Sequence, residues 1–328
     1  MLTHPTSILF FISLITSIAY TISTESWFMA WIGLEVNLLS FIPLILSKKN
    51  KYSTESALKY FLIQALGSLF IILATCLTTS TTWASLVIMM SLFLKTGAAP
   101  SHQWMPAVAE GISWPIFAIL MTLQKVNPLI LIFFLSKETT LHYIIILYSV
   151  TSAMIGAIGG LLQNSLRKIL TYSSIAHLSW ILSTLMCSSW IWLTYFLIYA
   201  FILISLIYIF ELLQMSSLNH LISMNKSYLS FITSTSILSL AGLPPFTGFL
   251  PKFMALNQLI NSEQAFILAP LLLGTFISLF FYVRLLLTNL LLTTHAPSTL
   301  HKTPKISYAL MNMNLMGLLL PSLMIIFL

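Results

Sequence analysis

The sequence predicts an all-α polytopic membrane protein with about eleven transmembrane helices. Three features predict it. Of its 328 residues 58% are hydrophobic and only 6% are charged, against about 25% charged residues in an ordinary soluble domain. Apolar runs near the roughly 20 residues needed to cross a bilayer follow one another along the chain. The longest polar breaks, about 216–227 and 293–305, are too short to build a soluble core of their own.

In order, the candidate spans are 5–22, 26–46, 56–78, 84–106, 112–135, 142–163, 168–187, 190–214, 229–257, 265–290 and 306–327. The first apolar run begins near Ile8 with no Arg-rich or small-residue cleavage pattern before it, so it is expected to be retained as a span. Eleven spans put alternate breaks on opposite sides. One side receives Lys48, Lys49, Lys51, Arg167, Lys168, Lys226, Lys302 and Lys305. The other receives Lys137 beside Glu138, with Glu25 and Glu263. This charge bias places the N-terminus on the lysine-rich side and the C-terminus opposite.

A repeat runs through the spans. Gly97, Pro100 and Pro106 recur as Gly242, Pro245 and Pro251, all at one offset of 145 residues. Each cluster interrupts a long apolar run, the fourth span and the ninth. An odd number of spans separates them, so the two units enter the membrane in opposite directions. Proline removes a backbone donor and clashes with the carbonyl one turn back. Paired interrupted helices in inverted units point to a transport site.

Four charges lie deep inside apolar runs: Glu35, Lys95, Lys125 and Lys252. A charge at the centre of a membrane helix costs about 2.5–3.5 kcal/mol on insertion scales and marks an ion or proton path more often than not. A lysine stripped of water exchanges its proton according to the charges that face it. Movement of Glu35 toward or away from Lys95 would load and release one proton. The alternative is a buried ion pair that only fixes helix packing. Lys59, about one turn inside the third span, is read either as an interface anchor or as a relay. His177 and His102 are possible relay groups, since histidine changes charge near neutrality, or hydrogen-bonded packing residues. Arg284 and Glu211 lie toward span ends, where a headgroup or neighbouring helix is the expected partner. Cys76 and Cys187 read as small buried hydrophobes. The sequence carries no GxGxxG, P-loop or His/Cys metal spacing.

At these motifs the chain resembles a known family. Trp31-Ile-Gly-Leu-Glu35, Lys59-Tyr-Phe-Leu-Ile-Gln64, Leu94-Lys95-Thr-Gly-Ala-Ala-Pro100 and Gln124-Lys125 are four of the matching segments. Leu166-Arg-Lys168 with Tyr172-Ser-Ser-Ile-Ala-His177, and Gly242-Leu-Pro-Pro-Phe-Thr-Gly-Phe-Leu-Pro-Lys252, complete them. In order over most of the chain, they are similar to the animal chain 2 family of mitochondrial NADH–ubiquinone oxidoreductase, respiratory complex I. The family departs from this chain beside His102, which it commonly flanks with aromatics; here the run is Ser101-His102-Gln103-Trp104. After His177 many members have Gly before Trp, whereas this chain has Leu178-Ser179-Trp180.

The resemblance implies two inverted five-helix antiporter-like units, each with one broken helix, plus a C-terminal helix. The implied boundaries are 1–141, 142–290 and 291–328. It pairs Glu35 with Lys95, makes Lys125 the central relay and Lys252 the terminal one. It implies a proton-translocating subunit of an NADH:ubiquinone reductase in the mitochondrial inner membrane, with the lysine-rich side and the N-terminus in the matrix. No cofactor is expected in this chain; NADH, FMN, iron–sulfur clusters and ubiquinone belong to other subunits. Expected partners are other complex I subunits, especially neighbouring antiporter-like and accessory ones, and lipid, with no nucleic acid. A stand-alone cation/proton antiporter and a purely structural membrane-arm subunit are the alternatives.

Overall fold

The structure, a computed structural model, describes residues 5–47, 50–76, 81–187, 190–218, 227–262 and 264–291. Its regular elements are helical throughout. Among the described residues, eight helical segments are long and apolar enough to cross a membrane. They coincide with the first, second, third, fifth, sixth, seventh, eighth and tenth predicted spans. The fourth and ninth are present as shorter apolar helices, each followed by a second helical piece. The eleventh predicted span lies outside the described residues, as do Lys48, Lys49, Lys226, Glu263, Lys302 and Lys305.

The chain divides between Thr151 and Ser152 into two compact units. The first contains α1 (Pro5–Ser23), α2 (Trp27–Ile45), α3 (Lys51–Cys76), α4 (Thr81–Thr96), α5 (Trp104–Gly111), α6 (Trp114–Met121) and α7 (Leu123–Leu135). Helix α8 (His142–Leu161) crosses the division. The second contains α9 (Leu166–Met186), α10 (Ile191–Leu212), α11 (Ser227–Ala241), α12 (Phe249–Asn261) and α13 (Leu268–Leu291). In the first unit α4 packs on α3 and α7, and α1 packs on α2 and α7. In the second, α10 packs on α9, α11 and α12, and α13 packs on α9 and α11.

The 145-residue repeat has a direct structural meaning. Helix α4 stops at Thr96 and α11 at Ala241, and the next residue in each case is a left-handed glycine, Gly97 (φ 71°) and Gly242 (φ 76°). Glycine takes this conformation without the Cβ penalty that other residues incur. Pro100 and Pro245 fall inside the irregular stretch. Pro106 and Pro251 sit at the third position of the resumed helices α5 and α12. There the missing N–H has no intrahelical partner to lose.

One interruption was not expected. The fifth span is one apolar run from Trp114 to Leu135, yet the helix breaks at Thr122, whose backbone lies at φ −115°, ψ −82°. Pro128 offers no N–H to the carbonyl of Gln124 and crowds it. The Thr122 hydroxyl also donates to the Ala118 carbonyl at 2.7 Å, a bond that bends helices. Lys125 therefore stands in the first turn of α7 rather than within an unbroken helix.

Candidate functional site

Helix interruption frees backbone carbonyls, and a membrane interior requires each to find a donor. At the first break the Trp104 indole donates to the Leu94 carbonyl at 3.0 Å. The Gln64 amide of α3 donates to the Lys95 carbonyl at 3.3 Å, and the Thr151 hydroxyl lies 2.8 Å from the carbonyls of both Ala99 and Leu147. Two of these donors come from outside the α4–α5 segment, so the break is held in place by its neighbours.

Lys95 occupies the last turn of α4 and is buried, only 6% exposed. Its aliphatic stem lies along Gly67 of α3, where a Cβ would approach Lys95 Cγ to 3.1 Å. Glu35, half-buried on α2, lies within electrostatic reach of Lys95. The two do not form a direct ion pair. Lys125 is 3% exposed and its Nζ has no hydrogen-bond partner among the described residues. On either side of it the Gln124 Nε2 and Asn127 Nδ2 are also buried without partners. The Gln124 Oε1 accepts from the Tyr60 hydroxyl of α3 at 2.9 Å.

His102 lies in the first break, buried, with Nδ1 3.2 Å from the Pro100 carbonyl. Lys59 is placed elsewhere. It is 46% exposed on α3 and its Nζ lies 2.5 Å from Glu55 Oε1, one turn earlier. The helix begins at Lys51, five residues before the predicted start.

The second unit carries a different solution at its break. Lys252 itself donates to the Ala241 carbonyl at 2.8 Å. Its stem fills the notch over Gly242, where a Cβ would fall 2.8 Å from both Cδ and Nζ. His177 of α9 is buried and its Nδ1 lies 3.0 Å from the Tyr195 hydroxyl of α10. A cavity of about 10 Å³ is lined by His177, Lys252, Thr275, Ser278 and Tyr282, with Trp180. It has room for about one water, and its lining is polar enough to hold one. The structure thus brings Lys252 and His177 to one small polar chamber. Arg284 donates to the Leu161 and Gln163 carbonyls at 2.9 and 2.6 Å, a neighbouring-helix role.

Reasoning from sequence passed over Tyr60, Asn127, Tyr195 and Tyr282. Gln64 was noted only within a motif. A polar side chain interrupting an apolar run is the signal that finds Gln64 and Asn127. Tyrosine is too common at membrane interfaces for such a signal to single out the other three. Among the described residues no group of three or more His, Cys or Glu is placed to hold a metal ion.

The family described as NADH:quinone oxidoreductase/Mrp antiporter, TM, matches residues 24–82 and 75–278. NADH-ubiquinone oxidoreductase chain 2 of Anopheles gambiae is 40% identical over 289 residues, covering 84% of each chain. The protein of the same name from Crocidura suaveolens gueldenstaedtii is 37% identical over 331 residues, covering 95% of this chain and 93% of the relative. Among solved structures, a chain of respiratory complex I from Thermus thermophilus aligns with a TM-score of 0.82 at 21% identity, covering 97% of this chain and 79% of that one. A chain of the Mrp complex from Dietzia sp. aligns with a TM-score of 0.79 at 16% identity, covering 88% and 61%. At these identities the structural likeness speaks for the fold alone.

Proposed function

This chain belongs to the NADH:quinone oxidoreductase/Mrp antiporter family of membrane proteins, and we propose that it acts as a chain 2 subunit of respiratory complex I. It is a core membrane subunit that contributes to proton translocation coupled to NADH oxidation and ubiquinone reduction. The redox steps take place in other subunits. The observation that carries the mechanism is the burial of Lys95 and Lys125 and the half-burial of Lys252, each beside an interruption in a membrane-spanning helix.

The mechanism follows from that placement. Glu35 lies within electrostatic reach of Lys95 without a direct ion pair, so movement of Glu35 can act on Lys95 without a bond having to break. Lys125 has its ammonium free to take a new partner. Lys252 and His177 share a chamber for about one water, which suits transfer between them. A redox event elsewhere would shift charge near these groups, and within each unit a group would respond to the charges close to it. Glu35, Lys95, Lys125 and Lys252 are the translocating residues in this reading, with His177 and His102 as relay candidates.

The lysine-rich breaks support a matrix-facing N-terminus, in the mitochondrial inner membrane. Neighbouring antiporter-like and accessory subunits and lipid would cover the apolar outer faces. The likeness to an Mrp chain keeps a cation/proton antiporter as the second reading, but the chain 2 relatives match at 35–40% identity.

The test is purification from native membrane followed by proton counting. The chain should run with a large NADH-oxidising assembly. Lys95→Met or Lys125→Met should lower the protons moved per electron pair while uncoupled NADH oxidation continues. An unchanged ratio in both variants would leave only a structural subunit; activity of the isolated chain in liposomes would favour the antiporter.

A further inference from the structure

We propose that the first unit contains a hydrated proton route from the central lysines to a cavity on the face opposite the lysine-rich breaks, with Asn127 and Gln124 as its positioning residues. The inference rests on the proton-translocating role of Lys95 and Lys125.

The cavity, about 510 Å³, opens at the turn between α1 and α2, where Ser23, Thr24, Glu25 and Ser26 supply a polar rim. Its buried lining residues are Ala30 and Leu131, which form the floor. Leu131 is one turn of α7 beyond Asn127, on the same helix face. Asn127 is completely buried. The Thr21 hydroxyl of α1 lies 2.9 Å from Asn127 Oδ1 and 2.8 Å from the Ile18 carbonyl. One hydroxyl proton cannot serve both acceptors. Whichever way the amide is turned, one end of Asn127 is left facing the interior without a protein partner.

The same face of α7 continues inward. Gln124 lies three residues before Asn127, a neighbouring position on the helix surface. It holds Tyr60 at 2.9 Å and presents its own buried, unpartnered Nε2. Tyr60 and Gln64 are one turn apart on α3, and Gln64 reaches the Lys95 carbonyl. The polar side chains thus form a ladder through an otherwise apolar unit: cavity, Thr21 with Asn127, Gln124 with Tyr60, then Gln64 and the first break. Buried polar groups almost always find partners, so three unpartnered donors within four residues, Gln124, Lys125 and Asn127, point to bound water. Amides neither gain nor lose protons in this route. They orient waters, a proton leaves Lys125 Nζ, and one appears in the cavity. The floor at Leu131, about one turn thick, is the barrier.

The test uses the assembled complex in proteoliposomes. Asn127→Leu keeps the shape and removes the amide. It should lower the protons moved per electron pair by as much as Lys125→Met does, with uncoupled NADH oxidation retained. In a second variant, Leu131→Cys, a charged membrane-impermeant thiol reagent should modify the new cysteine from the face opposite the lysine-rich breaks, read by mass spectrometry of this chain, and should lower the same ratio. If Asn127→Leu does not assemble, the labelling decides. A parent ratio in Asn127→Leu with a lowered ratio in Lys125→Met overturns the route and leaves the translocating role standing. A parent ratio in Lys125→Met overturns both. Absence of labelling, or labelling only from the lysine-rich face, overturns the cavity as the outer mouth.

Discussion

Lys252 Nζ donates to the carbonyl of Ala241 at 2.8 Å, bridging the two halves of the second broken helix with the side chain that is also its half-buried charge. At the first break, by contrast, Gln64 and Trp104 cover the freed carbonyls of Lys95 and Leu94, and the Lys95 ammonium is spared that duty. The two breaks share a backbone design but not a division of labour. Any movement of a proton at Lys252 is therefore coupled to how firmly α11 and α12 are held together.

Replacement of Lys252 tests this coupling. Lys252→Met keeps the aliphatic stem over Gly242 and removes the donor. An unsatisfied buried carbonyl costs about 1–3 kcal/mol, so the variant should assemble less fully as well as move fewer protons per electron pair. Quantifying assembled complex on native gels, alongside proton counting, separates the two effects. Normal assembly with normal pumping would show the bridge to be incidental.

The glycines at the second break should respond unequally. Gly242→Ala places a side chain in the left-handed region, at about 1–2 kcal/mol, and its Cβ meets the flexible end of Lys252. The lysine can yield, so the complex should assemble while proton movement falls. Gly248→Ala directs its Cβ onto the backbone carbonyl of Ser239, which cannot yield. That variant should lose assembled complex. Equal behaviour of the two would mean that the Lys252 notch has no part in pumping.

Tyr195→Phe addresses the chamber shared by His177 and Lys252. The phenol oxygen, 3.0 Å from Nδ1, holds the imidazole ring in place. Its loss should change the pH profile of proton movement more than it changes the amount of complex assembled. A purely structural tyrosine would lower assembly and leave the profile where it was.

The sequence made the helix breaks legible because glycine and proline act through the backbone alone. Their positions at 97, 100 and 106, and again at 242, 245 and 251, predicted interruptions that the structure contains. The burial of Lys95 and Lys125, and the half-burial of Lys252, were legible for the same reason: a charge inside an apolar run has few other places to go. Partners were not. Gln64 meets the Lys95 carbonyl 31 residues away, and Thr21 meets Asn127 across 106. Such contacts depend on which helix faces meet, and spans that are apolar nearly all round give no periodicity from which to read a face. The kink at Thr122 escaped notice because Pro128, which contributes to it, sits most of two turns away.

Lys59 shows the cost of reading depth from the length of an apolar run. The run predicts a span starting near residue 56, but Lys51 already begins α3, so the polar first turns extend the helix beyond the apolar stretch. Lys59 then falls on an exposed face beside Glu55, while its neighbour Tyr60 points into the unit. An exposed pair at i, i+4 contributes only about 0.3–0.5 kcal/mol. Glu55→Gln and Lys59→Gln, singly and together, should therefore leave assembly and the proton-to-electron ratio close to parent, in contrast to Lys95→Met. Proton counting on the three variants checks this. A fall in Lys59→Gln that matched Lys95→Met would return Lys59 to the translocating row and would require a neighbouring subunit to cover the α3 face.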